Sequence, residues 1–253
     1  KMHKIIYIIT GANGQLGKCL IKTLIRKKKY VFGLDISNNE LNKIKSNYFQ
    51  FYKVDITKEK KVQNQFKKIF KLMQTDCEIH LINNAGTSVF SDFENRTDEE
   101  FYYVVDVNLK GTINCIKYFS KEIKSQNSKS KSSIVNVSSI FGLVSPDFRN
   151  YIDLNRKNSE IYGASKAGII QLTKYFATRY ASSNLQVNCI APGGILNNQI
   201  QGPEFIKKYS QLVPKNRLCD IDELVNLIYS ILNSNCSYLT GQTISLDGGM
   251  TSW

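Results

Sequence analysis

Residues 4–17, KIIYIITGANGQLG, carry a near-continuous apolar run into a glycine turn and on into a helix. That order constrains the fold more than any other part of the chain. An apolar run without polar alternation suits a strand buried on both faces, as in a parallel sheet with helices on either side. The turn Thr10-Gly11-Ala12-Asn13-Gly14-Gln15-Leu16-Gly17 then brings backbone close to a helix N-terminus. Free N–H groups and the helix dipole favour a phosphate there. Further strands are expected at Tyr30–Asp35, Tyr48–Asp55, Glu78–Asn83, Ser132–Ser138, Leu185–Ala191 and Thr243–Leu246. Helices are expected over 15–28, 98–125, 162–181 and 220–233. In the first, Leu16, Cys19, Leu20 and Leu24 share one stripe. The second opens on Thr97-Asp98-Glu99-Glu100, an N-cap followed by an acidic first turn. This alternation predicts an α/β fold, a doubly wound parallel sheet of about seven strands flanked by helices. The 253 residues fit a single domain of that kind.

Charge is distributed unevenly. The net charge is +13, and residues 1–71 hold all of it, with 17 bases against four acids: Asp35, Glu40, Asp55 and Glu59. A uniformly basic scaffold is thereby excluded. The lysines of this third are expected on outer faces of the first three strand–helix units, where they serve solvation or steer anions. Lysine outnumbers arginine 28 to 6 and no RNP-like or helix-turn-helix pattern appears, so no nucleic-acid partner is expected. No apolar run approaches the ~20 residues of a membrane span, and the immediate first strand leaves no room for a signal peptide. Six scattered cysteines with two histidines and no CxxC predict free thiols, no metal site and a cytoplasmic location.

The strand ends carry ligand chemistry. Asp35 ends the second strand. A carboxylate there can accept from both hydroxyls of an adenosine ribose and would repel a 2′-phosphate. Its neighbours Ile36, Ser37 and Asn38 add no cation, which favours NAD over NADP. Val54-Asp55-Ile56-Thr57 ends the third strand, where a side chain can reach an adenine amino group. Asn83-Asn84-Ala85-Gly86 ends the fourth, small and polar where backbone passes a ligand. Tyr162-Gly163-Ala164-Ser165-Lys166 sets Tyr and Lys on one helix face at i, i+4. A free Tyr titrates near ~10. A nearby ammonium favours its phenolate and makes Tyr162 a general acid/base for a carbonyl/alcohol pair.

In order along the chain stand TGANGQLG at 10–17, Asp35, VDIT at 54–57, NNAG at 83–86, VNLKG at 107–111, NVSS at 136–139, YGASK at 162–166, NCIAPGGI at 188–195 and LTGQTISLDGG at 239–249. Over its whole length the chain resembles the short-chain dehydrogenase/reductase family. The resemblance implies a Rossmann-type domain, with 1–95 mainly the cofactor-binding half and 96–253 the catalytic and substrate half. It implies that Tyr162 exchanges the proton and that Lys166 binds the nicotinamide ribose and lowers the Tyr162 pKa. Ser139 would bond the substrate oxygen, and Asn108, in mid-helix, would anchor a water that relays protons. The implied NAD site comprises Gly11, Asn13, Gly14, Gln15, Leu16, Gly17, Asp35, Ile36, Asp55, Ile56, Asn84, Ala85 and Gly86, with Tyr162, Lys166, Pro192, Gly193, Ile195 and Asn197. A homotetramer or homodimer is implied as well.

Three departures from the family's pattern stand out. Gln15 replaces the middle glycine of the first turn, and Leu196-Asn197-Asn198 replaces a threonine after the PG turn. Ser139 and Tyr162 are 23 residues apart, about a dozen being usual for the family, which makes 145–160 an insertion beside the site. Polar, amide-rich segments flank the site, and Ser139, Tyr151, Asn198 and Gln199 are the expected substrate contacts. They suit an activated or phosphorylated sugar, amino sugars included. The segments SPDF…Y and GGI-NNQ also resemble bacterial members linked to surface-polysaccharide and flagellin-glycan biosynthesis. Two alternatives stand beside this small-molecule oxidoreductase. One is a 3-oxoacyl-[acyl-carrier-protein] reductase, favoured by the basic surface and disfavoured by Asp35. The other is a non-catalytic nucleotide- or nucleic-acid-binding module.

Overall fold

A computed structural model describes residues 5–73, 77–126, 130–148 and 158–252. Seven strands form one all-parallel sheet: β1 (Ile5–Thr10), β2 (Tyr30–Asp35), β3 (Phe49–Lys53), β4 (Glu78–Asn83), β5 (Ser132–Val137), β6 (Leu185–Pro192) and β7 (Thr243–Leu246). Their order across the sheet is β3-β2-β1-β4-β5-β6-β7. The chain works outward from β1 to β3, then returns to lay β4 on the other side of β1. That reversal leaves a crevice above the carboxyl ends of β1 and β4, where open α/β sheets bind ligands.

Strand side chains alternate between two cores. Ile6, Ile8, Phe32, Ile79 and Leu81 face one layer, with Val62, Phe66, Ile69, Cys115, Ile116 and Phe119 from the helices packed on them. Tyr7, Ile9, Val31, Ile82 and Ile190 face the other, against Leu16, Leu20, Leu24, Leu224, Val225 and Ile228. The period of two, buried on both faces, is why these strands read as unbroken apolar runs. No helix among the described residues is long and apolar enough to cross a membrane.

The helices are α1 (Gln15–Arg26), α2 (Glu59–Lys71), α3 (Asp98–Val105), α4 (Thr112–Gln126), α5 (Glu160–Arg179), α6 (Pro203–Gln211) and α7 (Ile221–Asn233). Sequence patterning set no bounds for α2, whose Val62, Phe66, Ile69 and Phe70 form a buried stripe among exposed lysines. It also missed the short, mostly polar α6. The second strand–helix unit lacks an α-helix. A single 3₁₀ turn, Leu41–Lys43, follows β2, with Asn38 donating to Asn42 at 2.8 Å. Local Asn hydrogen bonds of this kind compete with a helix.

The expected continuous helix over 98–125 is divided. α3 starts from a full capping box, in which Thr97 accepts from the Glu100 amide and the Glu100 side chain accepts from the Thr97 amide. A π-helical segment, Asp106–Gly111, then precedes α4. Such bulges recur at functional sites, and this one carries Asn108. Of the expected insertion, 149–157 lie outside the described residues, and Tyr151 with them.

Candidate active site

The glycine turn is built for close approach. Gly11 holds φ +64°, and a Cβ on it would sit 2.7 Å from the Ala85 Cα. A Cβ on Gly17 would sit 2.3 Å from the Gly11 carbonyl oxygen. Both positions are therefore closed to any side chain. Asn84 braces the turn from β4, its Nδ2 donating to the carbonyls of Thr10 at 3.1 Å and Gly11 at 2.9 Å. The Thr10 hydroxyl accepts from the Asn84 and Ala85 amides, both at 3.1 Å. α1 begins at N-cap Gly14, with no side chain capping it. Its first N–H groups therefore keep their positive ends for an anion.

Asp35 joins the second strand end to this turn. Its Oδ2 accepts from the Asn13 amide at 2.9 Å and its Oδ1 from the Ser37 amide at 3.1 Å. The Asn13 Oδ1 is buried with no protein partner in the described structure. Asp55 folds an Asx turn instead, accepting from the Thr57 amide at 2.9 Å and its hydroxyl at 2.7 Å. Around these groups lies a cavity of about 590 Å³ bounded by Gly11, Gly14, Gln15, Asp35, Ile36, Asp55, Ile56, Asn84, Ala85 and Gly86. Lys58, Tyr103, Asp106 and Val107 also line it and were not foreseen. Its backbone cradle, ribose-height carboxylate and uncapped helix fit an adenine dinucleotide.

A second cavity of about 530 Å³ continues the first, the two sharing Leu16, Asn84, Gly86 and Thr87. Ser139, Tyr162, Lys166, Pro192, Gly193 and Ile195 line it. Ser139 caps a 3₁₀ turn, its Oγ accepting from the Phe141 amide at 3.2 Å. Tyr162 and Lys166 share the cavity face of α5, with the Lys166 Nζ 5.6 Å from the Tyr162 ring centroid. Lys166 is buried, and its Nζ donates to the Val137 carbonyl at 3.0 Å. Desolvation of the ammonium pushes its pKa down to about 8.

Asn108 is buried in the π segment and tied on both sides. It accepts from the Thr87 amide at 2.8 Å, and its Nδ2 donates to the Thr87 carbonyl at 3.0 Å and the Ser165 hydroxyl at 2.9 Å. Ser165 in turn donates to the Tyr162 carbonyl at 2.8 Å. Asn108 thus links the strand-end loop after β4 to the α5 turn between Tyr162 and Lys166. Its own carbonyl accepts from the Thr112 hydroxyl at 2.7 Å.

The reactive cavity also holds Asn158 from the 145–160 insertion, Ile200 and Gln201 from the segment that follows the PG turn, and Ser88, Phe90 and Phe205, which sequence reasoning missed. Ser88 and Phe90 directly follow the NNAG strand end, a signal that was there to be used. Asn198 and Gln199 are exposed and line neither cavity. Asn197 sits behind the wall, with its Nδ2 donating to the Gln15 Oε1 at 3.2 Å. Among the described residues, no group of His, Cys, Asp and Glu side chains could hold a metal ion.

Residues 16–251 match a family model described as enoyl-(acyl carrier protein) reductase. The post-translational flagellin modification protein A of Campylobacter coli is 28% identical over 259 residues, covering 98% of each chain. A short chain dehydrogenase from Leptospira borgpetersenii serovar Hardjo-bovis, solved with bound NAD+, is 36% identical with a TM-score of 0.89. That match covers 99% of this chain and 94% of the other. The structure of ElxO with NADP bound is 26% identical with a TM-score of 0.85, covering 99% and 100%.

Proposed function

The chain belongs to the short-chain dehydrogenase/reductase family, NAD(P)-dependent oxidoreductases that act on CH–OH groups, and from that premise we propose that it interconverts a carbonyl and an alcohol on an activated or phosphorylated amino sugar, using NAD(H). One observation carries the reading: Ser139, Tyr162 and Lys166 line a cavity that opens directly into the glycine-turn trough.

The dinucleotide supplies the hydride acceptor or donor. The other tasks fall to the chain. The Gly11–Gly17 turn and the start of α1 hold the pyrophosphate, and Asp35 accepts from the adenosine ribose hydroxyls. In the reducing direction the Tyr162 hydroxyl gives its proton to the nascent alkoxide oxygen, and in the oxidising direction the phenolate takes it from the alcohol. The Ser139 hydroxyl donates to that same oxygen. Lys166, charged below about pH 8, lowers the energy of the Tyr162 phenolate and binds the nicotinamide ribose. Asn108 fixes the α5 turn that carries both and anchors the water that returns protons to Lys166.

The sugar assignment rests on the lining of the cavity that holds Tyr162. Phe90 and Phe205 line it with aromatic rings, and Ser88 and Asn158 add a hydroxyl and an amide. Such a lining suits a pyranose with amide and hydroxyl substituents. The likeness to a flagellin modification protein supports the same class. The exposed Phe101, Tyr102, Ile113 and Tyr175 on α3, α4 and α5 support assembly as a homotetramer or homodimer.

The test is NADH oxidation at 340 nm against keto forms of nucleotide-linked and phosphorylated amino sugars, with an acetoacetyl thioester as competitor. Turnover of the sugars at least tenfold above the thioester supports the reading. The reverse order favours the 3-oxoacyl-[acyl-carrier-protein] reductase, a reading that staphylococcal relatives of that name, 27% and 32% identical to this chain, support. Absence of turnover with every compound overturns both.

A further inference from the structure

Three side-chain amides join two parts of the chain that are far apart in sequence. Gln15, the first residue of α1, donates through Nε2 to the Leu196 carbonyl at 2.8 Å and accepts at Oε1 from the Asn197 Nδ2 at 3.2 Å. Gln201 repeats the pattern one step on. Its Oε1 accepts from the Asn197 amide at 2.8 Å, and its Nε2 donates to the Ile195 carbonyl at 2.9 Å. Gln15 is half-buried, and both polar ends of its side chain are used by the loop. Ile195 and Gln201 line the reactive cavity, whereas Gln15 lines the adenosine cavity. Leu16, the next residue, borders both. The amide chain therefore spans the waist at which the two cavities join.

We propose that Gln15 is a positioning residue that clasps loop 195–202 to the dinucleotide turn across this waist. The inference rests on the reading of the trough as a dinucleotide site. A ligand that fills both cavities must cross the waist, so it leans on the wall that the clasp holds in place. The clasp keeps the Ile195 and Gln201 wall fixed at the reactive end. It also gives a physical role to a long polar side chain at a position where a glycine would serve the phosphate equally well.

Gln15→Met keeps the length and removes both hydrogen bonds. Two bonds of ordinary net strength set the expected effect at about tenfold. The NADH dissociation rate, followed by stopped-flow fluorescence, rises by about tenfold, and KM for NADH rises with it while kcat changes less. In the cofactor-free protein, amide hydrogen exchange at 196–201 speeds up, while exchange in β1, β4 and β5 stays as in the wild type. Asn197→Ala added to Gln15→Met increases the rate less than the product of the single effects, because the two side chains share a bond. A Gln15→Met protein with unchanged dissociation and unchanged loop exchange overturns the clasp. Failure of the wild-type protein to bind NADH overturns the dinucleotide reading itself, a distinct outcome. Exchange that speeds throughout the sheet would mark Gln15 as a general stabiliser and likewise overturn the clasp.

Discussion

The two ends of the trough are built from different materials. The adenosine end is made of backbone: a glycine turn, an uncapped helix start and the last residues of parallel strands. The reactive end is made of side chains from a π-helical bulge, an interior helix and a loop that follows β6. Their charges differ as well. Of the four acids among the first 71 residues, Asp35 and Asp55 face the adenosine cavity, while Lys60, Lys61, Lys67, Lys68 and Lys71 lie exposed on the far side of α2. The α2 lysines thus form part of an outer coat around a locally acidic ligand wall. At the reactive end one cation, Lys166, is held inside. Net charge told little about either site, because ligands meet the local wall and not the sum.

If the ends divide binding from chemistry in this way, Tyr162→Phe should show the largest effect. Losing the general acid/base is expected to lower kcat by about 10³-fold. The NADH dissociation constant, measured by fluorescence titration, should stay within about twofold. A mutant that turns over at wild-type rate would mean that the proton moves through another group. The mirror-image test is Gly17→Ala. The added Cβ would meet the Gly11 carbonyl oxygen at 2.3 Å and push the turn out of shape. NADH affinity is expected to fall by about 100-fold, while the melting temperature tells a local shift from unfolding. Unchanged affinity would show that the turn can relax without leaving the phosphate.

The same division explains what the sequence made legible. Strand limits fell within about two residues, because burial on both faces of a parallel sheet leaves runs such as Ile5–Thr10 with no polar interruption. The turn, Asp35 and the NNAG strand end follow directly from those limits. The reactive end was less open to reading. Asn108 sits at ordinary helical spacing, and the extra residue in its turn goes with bonds to Thr87 and Ser165 that no local pattern encodes. Gln15 meets Leu196 across 181 residues of sequence. Ile200, Gln201 and Phe205 reach the cavity only through the path of the loop before α6. Local chemistry nominated Asn198 and Gln199, but that path turns both to solvent.

Lys166 offers a sharper comparison, because it tests whether the reactive end sacrifices stability for chemistry. Its ammonium is buried with the Val137 carbonyl as acceptor, and its pKa falls to about 8. The unfolded chain holds that proton up to about 10.5, so between pH 8 and 10.5 the unfolded state binds more protons than the native state. Stability of the cofactor-free protein therefore rises with pH across that window and is lost as pH falls through about 8. Lys166→Met, which keeps the apolar stem, should stabilise the cofactor-free protein by about 2 kcal/mol at pH 7. The melting temperature should rise by roughly 4–8 °C. That gain should shrink as pH approaches 10.5. Coincident melts at every pH would show that the ammonium is well accommodated.

Asp35 carries the smallest expected effect and decides whether the adenosine end selects its ligand or only binds it. The carboxylate holds the Asn13 and Ser37 amides, so removing it both loosens the turn and removes a charge. Asp35→Asn removes the charge but keeps one of the two bonds, since its amide has a single accepting oxygen where the carboxylate used both. A 2′-phosphate brought near Asp35 meets like charge, whereas Lys58 on the same cavity wall offers an opposite one. With the carboxylate neutralised, only the attraction remains. The ratio of kcat/KM for NADPH to that for NADH should rise about tenfold, about 1.4 kcal/mol, in Asp35→Asn, with Asp35→Ala raising it similarly but lowering affinity for both. Lys58→Ala in the Asp35→Asn background should reverse the gain. A ratio that stays fixed in both Asp35 variants would reduce the residue to a turn brace and move cofactor choice elsewhere on the wall.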